Sequence, residues 1–269
     1  LPVTFWTGAG EDTTRSKSFF YYLLKRLFVN KIDSAITYGT NAQKYLEKLG
    51  MNPSRIHNAV NVSDVGFFKQ VLGNHFNSLE MQNNIADLPR PILVFVGRFE
   101  SRKGVELLLE RLACLQNHQY FCYFIGTGTL SNKVKEYIDK RKISGKFFGY
   151  LPQEEVAKRL VESDVYILPS LNDPFTRTLS EALASGCFVL NSKNDDASYN
   201  LIDQGKNGFI FDPENSIQFD EYLQMVVNPE WERPSREEIS QNLKYTVSDY
   251  AENIVDSIIQ AIKNKPYSH

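Results

Sequence analysis

The stretch Pro169-Ser170-Leu171-Asn172-Asp173-Pro174-Phe175-Thr176-Arg177-Thr178-Leu179-Ser180-Glu181-Ala182-Leu183-Ala184-Ser185-Gly186 lies between two apolar runs that read as buried strands, Asp164–Leu168 and Cys187–Leu190. It holds a polar loop ending at Asp173-Pro174-Phe175, then a short helix stopped by Gly186, a residue suited to the left-handed C-terminal position. A strand whose carboxyl end opens into a loop and a helix N-terminus is where open parallel sheets bind ligands. Unpaired amides at that N-terminus, near Thr176 to Leu179, favour an anion. Two carboxylates bracket them, Asp173 in the loop and Glu181 within the helix. Each also has a structural reading: Asp173 closing a turn before Pro174, and Thr178 with Glu181 forming a capping box.

Outward from this stretch, strands alternate with helices from Pro91 onward. Strands are expected at Ile92–Val96, Tyr120–Ile125, Lys146–Phe148, Val165–Leu168, Phe188–Leu190 and Phe209–Phe211. Val105, Leu108, Leu109 and Leu112 have the spacing of one buried helix face, and Val156, Leu160 and Val161 repeat it more weakly. The alternation predicts a parallel, doubly wound α/β sheet with right-handed crossovers. Before Pro91, Pro2–Trp6 and Ser34–Tyr38 read as strands, with a flexible Thr7–Asp12 loop after the first. Asn41–Leu49 reads as a helix ended by Gly50, and Asp64–Ala86 as a linker plus a helix of undefined length. Ser16–Val29, rich in aromatics and accompanied by Arg15, Lys17, Lys25 and Arg26, fits an amphipathic helix on a membrane or a packed helix with a solvated edge. Its mixed periodicity favours the packed helix. A final helix, Tyr250–Lys263, carries an apolar stripe of Ile254, Ile258, Ile259 and Ile262.

The Asp173–Glu181 segment resembles the acid, seven residues, acid signature of retaining glycosyltransferases of the GT-B fold, glycosyltransferase group 1 (family 4). In that pattern an acid, Gly or Pro, Phe and Gly are followed four residues later by Glu-Ala. Here Asp173 shortens the first carboxylate arm and Thr176 replaces the usual Gly, departures that bear on donor choice. The resemblance implies a GT-B type α/β protein: a partial N-terminal α/β domain and linker (1–87), a complete C-terminal Rossmann-like donor-binding domain (88–249) and a crossover helix (250–269). Most of the acceptor-side domain would then be missing, and the chain, which begins with Leu1, would be a fragment. Arg55–Asn61 resembles the family's strand leading into the interdomain linker, with Asn61 where the family commonly has Asp.

Gly97-Arg98-Phe99-Glu100-Ser101-Arg102-Lys103-Gly104 follows the Ile92–Val96 strand. Gly97 admits close backbone approach, and Arg98 and Lys103 set two cations beside the next helix N-terminus. Fixed cations there would stabilise charge growing on a leaving diphosphate. The resemblance gives them that role, makes Asp173 a ligand to the donor sugar and Glu181 the partner of the nucleotide ribose hydroxyls. It gives sugar and phosphate oxygens the backbone around Phe175, Thr176, Arg177, Thr178 and Leu179. Gly126 and Gly128 of Gly126-Thr127-Gly128-Thr129-Leu130-Ser131 would line the nucleotide pocket, and the Tyr150 and Leu151 backbones would flank the base. The implied reaction transfers a sugar from a nucleoside-diphosphate sugar to a glycan or lipid-linked acceptor with retention. A silent nucleotide-sugar-binding fragment and a GT-B-type epimerase are the rivals. No metal or other cofactor is expected, since Arg98 and Lys103 can supply the cationic charge.

Composition sets the remaining bounds. With 269 residues, 42% hydrophobic and 23% charged, the chain reads as an ordinary globular protein, and a net charge of −2 gives no pull towards nucleic acid. Cys114, Cys122 and Cys187 have no metal-ligand or redox spacing, which with two of them in apolar strand regions suggests a reducing cytoplasm. Peripheral contact with the cytoplasmic face of a membrane is a further expectation, faintly supported by Ser16–Val29. No apolar run approaches a membrane span of about 18 residues. His57, His75, His118 and His269 are scattered, and Asp195-Asp196 read as a helix cap. Lys133, Lys135, Lys140, Arg141, Lys142 and Lys146 read as a solvated basic face, and Asn207-Gly208 as a turn. A dinucleotide dehydrogenase is disfavoured, because the first strand–helix turn lacks the phosphate fingerprint.

Overall fold

The computed structural model describes residues 1–8, 10, 18–76, 78–115, 120–140 and 142–264. In chain order it contains β1 (Thr4–Thr7), α1 (Phe19–Val29), β2 (Ser34–Thr37), α2 (Thr40–Lys48), β3 (Ile56–Asn58), α3 (Val65–His75), α4 (Leu79–Ile85), β4 (Ile92–Val96) and α5 (Val105–Cys114). There follow β5 (Phe121–Ile125), α6 (Ser131–Asp139), β6 (Gly145–Gly149), α7 (Gln153–Glu162), β7 (Val165–Leu168), α8 (Thr178–Ala184), β8 (Phe188–Ser192), α9 (Ala197–Leu201) and β9 (Gly208–Phe211). Helices α10 (Ser216–Val227), α11 (Arg236–Gln241) and α12 (Val247–Asn264) complete it.

Two sheets form, in the strand orders β1-β2-β3 and β6-β5-β4-β7-β8-β9, and every pairing between neighbours is parallel. The larger order reverses between β4 and β7, which opens a crevice at the carboxyl ends of those strands. Strands β4, β7 and β8 are buried along their whole length. Helices cover both faces of such a sheet, which is why these runs are continuously apolar rather than alternating. Val105, Leu108, Leu109 and Leu112 of α5 are buried against it, as the spacing predicts. Phe99, Phe124, Phe188 and Phe219 are fully buried in the same core.

The segment Asp64–Ala86 forms two helices rather than one. Asp64 caps the Phe67 amide at the start of α3, and Ser78 caps the Met81 amide at the start of α4. Helix α3 packs on α7 and α8. Helix α12 crosses to the smaller sheet and packs on β2 and β3. Its contact is made by small residues, Ser257 and Ala261, while Ile258, Ile259 and Ile262 stay exposed, so the isoleucine stripe is not the buried face.

The packed-helix reading of Ser16–Val29 is also corrected; its first residues, with Arg15, lie outside the described ones. In α1 only Val29 is buried, and Phe19, Phe20, Tyr21, Leu23, Leu24, Leu27 and Phe28 are exposed. The cation Lys25 turns inward to the Tyr45 hydroxyl at 3.1 Å. The basic stretch from Lys133 is largely paired: Lys133 bonds Glu106, Lys140 bonds Glu136, and Lys135 and Lys146 lie over Phe147 and Phe148. Arg141, His118, His269 and half of the Thr7–Asp12 loop (Ala9, Glu11 and Asp12) fall outside the described residues. No helix among the described residues is long and apolar enough to cross a membrane.

Candidate functional site

The loop after β4 and the loop after β7 meet because each uses the other's backbone. The Arg102 carbonyl accepts from the Leu171 amide at 2.8 Å and from the Ser170 hydroxyl at 3.0 Å. Gly104 makes this possible. Its φ is +69°, and a Cβ there would fall 1.8 Å from the Pro169 carbonyl oxygen. Gly126 does the same on the other side: its φ is +132° and a Cβ would lie 1.9 Å from the Gly97 carbonyl oxygen. The Gly126-Thr127-Gly128 turn is thus shaped to fit Gly97.

Between these loops lies a cavity of about 840 Å³ lined by Gly97, Arg98, Gly126, Gly128, Tyr150, Leu151, Arg177, Thr178 and Glu181, together with Ser63 and Asp64. Nine of the residues singled out from sequence thus share one wall. Lys103, Asp173, Phe175, Thr176 and Leu179 do not line it. Lys103 and Asp173 instead form an ion pair beside it, 12% and 5% exposed, with Lys103 Nζ also 3.4 Å from Thr176 Oγ1. The side chains of Phe175 and Leu179 belong to the core. Arg98 is solvent-facing and pairs with Glu100 at 2.8 Å.

The capping box does not form. Helix α8 starts at Thr178, whose hydroxyl lies 2.7 Å from the Tyr166 hydroxyl, and Arg177 at the N-cap makes no side-chain cap. Glu181 is free of that duty and accepts a 2.6 Å hydrogen bond from the Ser63 hydroxyl, while Ser180 Oγ receives the Ser63 amide at 3.1 Å. Burial raises the Glu181 carboxyl above its ordinary range, with the Ser63 hydrogen bond and Arg177 pulling it back down.

The amide of Thr176 is not open to a ligand, because Asp195 Oδ1 accepts it at 3.0 Å. Asp195 is fully buried and also takes the Ala197 amide and Asn191 Nδ2. Burial, then the nearby Asp173 charge, pushes its carboxyl up to about 6. Its neighbour Asp196 faces the smaller sheet and accepts the Asn41 and Ala42 amides at 3.0 and 3.2 Å, capping α2. The adjacent carboxylates thus split their work, one inside each half. Sequence reasoning anticipated a cap but not its owner. It also missed Ser63, which no local pattern marks, since its partner lies 118 residues away. Among the described residues no group of three or more His, Cys, Asp or Glu side chains is placed to hold a metal. His57 and His75 are engaged with Gln260 and Glu162.

Parallel strands reversing order at a crevice define an open α/β sheet whose ligand crevice lies at the strands' carboxyl ends, and comparison places the fold among GT-B glycosyltransferases. Residues 76–246 match the family model for glycosyl transferases group 1, so the chain belongs to that family. It is 24% identical over 180 residues to the lipopolysaccharide core biosynthesis glycosyltransferase LpsE of Rhizobium meliloti, covering 65% of this chain and 51% of that protein. The chain spans about half the length of the curated relatives it matches first. Among solved structures, Anabaena Alr3699/HepE in complex with UDP superposes with a TM-score of 0.75 at 17% identity, over 96% of this chain and 72% of that one. The same protein in complex with UDP-glucose gives 0.72 at 16% identity, over 96% and 72%.

Proposed function

We propose that this chain carries the donor site of a retaining, family 4 glycosyltransferase that moves a sugar from a nucleoside-diphosphate sugar to a glycan or lipid-linked acceptor. The carrying observation is the convergence of Glu181, Arg98 and the Gly97 and Gly126–Gly128 turns on one cavity at the carboxyl ends of the strands. In this reading Glu181 accepts the ribose hydroxyls, and Arg98 and Lys103 bind the diphosphate and stabilise charge as it leaves. Asp173, held by Lys103, orients the sugar. Gly97, Gly126 and Gly128 let the backbone approach the nucleotide, Tyr150 and Leu151 flank the base, and amides at Phe175, Arg177, Thr178 and Leu179 meet sugar or phosphate oxygens. The donor-side cations supply the charge compensation without a metal or other cofactor.

The acceptor side of the proposal rests on the smaller sheet. Strand β1 is an outer strand and α1 beside it exposes seven large apolar residues, a surface suited to burial under further α/β structure of the acceptor half. Lys25 points inward rather than outward, which favours a protein cover over peripheral contact with an anionic membrane surface. Free Cys114, Cys122 and Cys187 fit a cytoplasmic location.

Calorimetric titration with UDP, GDP and ADP tests the site. UDP is the first choice because the Anabaena neighbour is described bound to UDP and to UDP-glucose. One nucleotide should bind, and Glu181→Ala should weaken it about 10–100-fold, as loss of hydrogen bonds to a charged group does. Lys103→Ala should weaken it too. Binding to none of the three by folded protein overturns the reading.

A further inference from the structure

At the opposite end of the large sheet, three guanidinium groups crowd one carboxylate. Asp164 Oδ1 lies 2.6 Å from Arg90 Nη2, 2.5 Å from Arg233 Nη1 and 3.2 Å from Arg236 Nη2, while Oδ2 accepts the Ile92 amide at 2.8 Å. Glu162, two residues before Asp164, is already paired with Arg159 at 2.5 Å, and offers Arg90 only its backbone carbonyl at 3.4 Å. Three cations against one anion leave an excess of two positive charges. Arg236 shows the strain of this: it is 4% exposed, its Nη1 has no hydrogen-bond partner, and burial with the charges of Arg233 and Arg90 lowers its affinity for a proton against the pull of Asp164. Burying like charges this close is unfavourable unless further negative charge is supplied.

A cavity of about 460 Å³ opens beside the cluster, lined by Arg90, Arg233 and Asp164 on one side and by Trp231 and Pro229 on another. That is the size of small-molecule pockets, which pair an apolar wall with a few convergent polar groups. Arg90 is 45% exposed and Arg233 24%, so both can present remaining N–H donors to the cavity. Guanidinium forks match phosphate oxygens in geometry and charge. The donor cavity touches Val96 at one end of β4, and this one touches Pro91 at the other, so about 17 Å of strand separates them.

We propose that this second cavity binds a small phosphorylated molecule, with Arg233 and Arg90 holding the phosphate dianion and Trp231 forming the wall against the rest of the ligand. The inference is independent of the donor-site reading. The chain has two tryptophans, Trp6 and Trp231, so a Trp6→Phe background leaves indole emission reporting this cavity alone. Inorganic phosphate titrated into that protein should change Trp231 emission saturably, with sodium chloride at equal ionic strength giving no such change. Arg233→Gln and Arg90→Gln should each weaken the response about tenfold or more, the usual consequence of losing a charged hydrogen-bond donor. Lys103→Ala, at the donor site, should leave it unchanged. The half-exposed Arg90 carries the test if the Arg233 variant does not fold. A flat titration, a response equally strong in both arginine variants, or one lost in Lys103→Ala overturns the proposal.

Discussion

Phe124 and Phe20 are the same residue in opposite circumstances. Phe124 lies in β5, one strand in from the edge of the six-stranded sheet, and is fully buried in its core. Phe20 lies in α1 beside the three-stranded sheet and is 68% exposed. The larger half closes its own core, whereas the smaller half holds only a cluster of Val29, Ile32, Ala35, Tyr45, Leu46, Leu49 and Met51 and leaves most of α1 outside it. An apolar side chain records that something should cover it. Whether this chain provides the cover depends on contacts that local patterning does not contain.

The largest expected effect follows directly. Phe124→Ala should cost about 3–5 kcal/mol in denaturant unfolding, from lost transfer energy and the cavity left behind. Phe20→Ala should stay within about 0.5 kcal/mol, as surface changes do. A large loss at Phe20 would break the comparison, because it would mean that α1 is covered in solution; repeating the measurement at two protein concentrations would tell self-association from intramolecular cover.

The adjacent pair Asp195 and Asp196 sharpens the comparison, since Asp195 is fully sealed inside the larger half and Asp196 reaches across to α2. A buried acid raised to about 6, against about 3.9 in the unfolded chain, favours the protonated folded state. Its contribution to stability is therefore fully present below about pH 4 and is lost as the pH rises through about 6. Asp195→Asn should abolish that loss, so the stability difference between variant and parent should shift in the variant's favour between these pH values, by something on the order of 1–3 kcal/mol. The amide can keep the Thr176 and Ala197 hydrogen bonds. Asn191 Oδ1, now without a partner, can turn to meet the new amide group. A pH-independent difference would show that Asp195 stays ionised throughout.

What the sequence made legible follows the same division. The strands of the large sheet were readable because a doubly covered parallel strand is an unbroken apolar run, and Ile92–Val96 and Val165–Leu168 match residue for residue. The glycine turns were readable because only Gly tolerates what Gly126 meets. The region from Asp64 to Ala86 was not, since two successive capped helices give one long polar–apolar mixture. Neither Lys103 with Asp173 nor Asp195 with Thr176 could be paired from spacing, because each pair joins loops that only the sheet brings together. The capping box failed for a related reason: Thr178 and Glu181 both had tertiary partners, Tyr166 and Ser63.

Ser63 is the finest test of how the halves communicate, because it lies on the segment between the two sheets yet touches the carboxylate in the larger half's cavity. Its hydroxyl donates to Glu181 Oε1, which favours the charged carboxylate against the burial that raises its pKa. Ser63→Ala removes that donor without adding bulk, so the Glu181 carboxyl should rise further. If Glu181 binds ribose as a carboxylate, nucleotide affinity should fall by about fivefold at neutral pH, the value of one ordinary hydrogen bond. The acid limb of the affinity profile should also move to higher pH, while Ser63→Thr, which keeps the hydroxyl, should restore both. A loss of affinity with an unmoved pH limb would mean that Ser63 only shapes the segment between the sheets. No loss at all would detach Glu181 from the nucleotide, and with it the proposed link between the smaller half and that cavity.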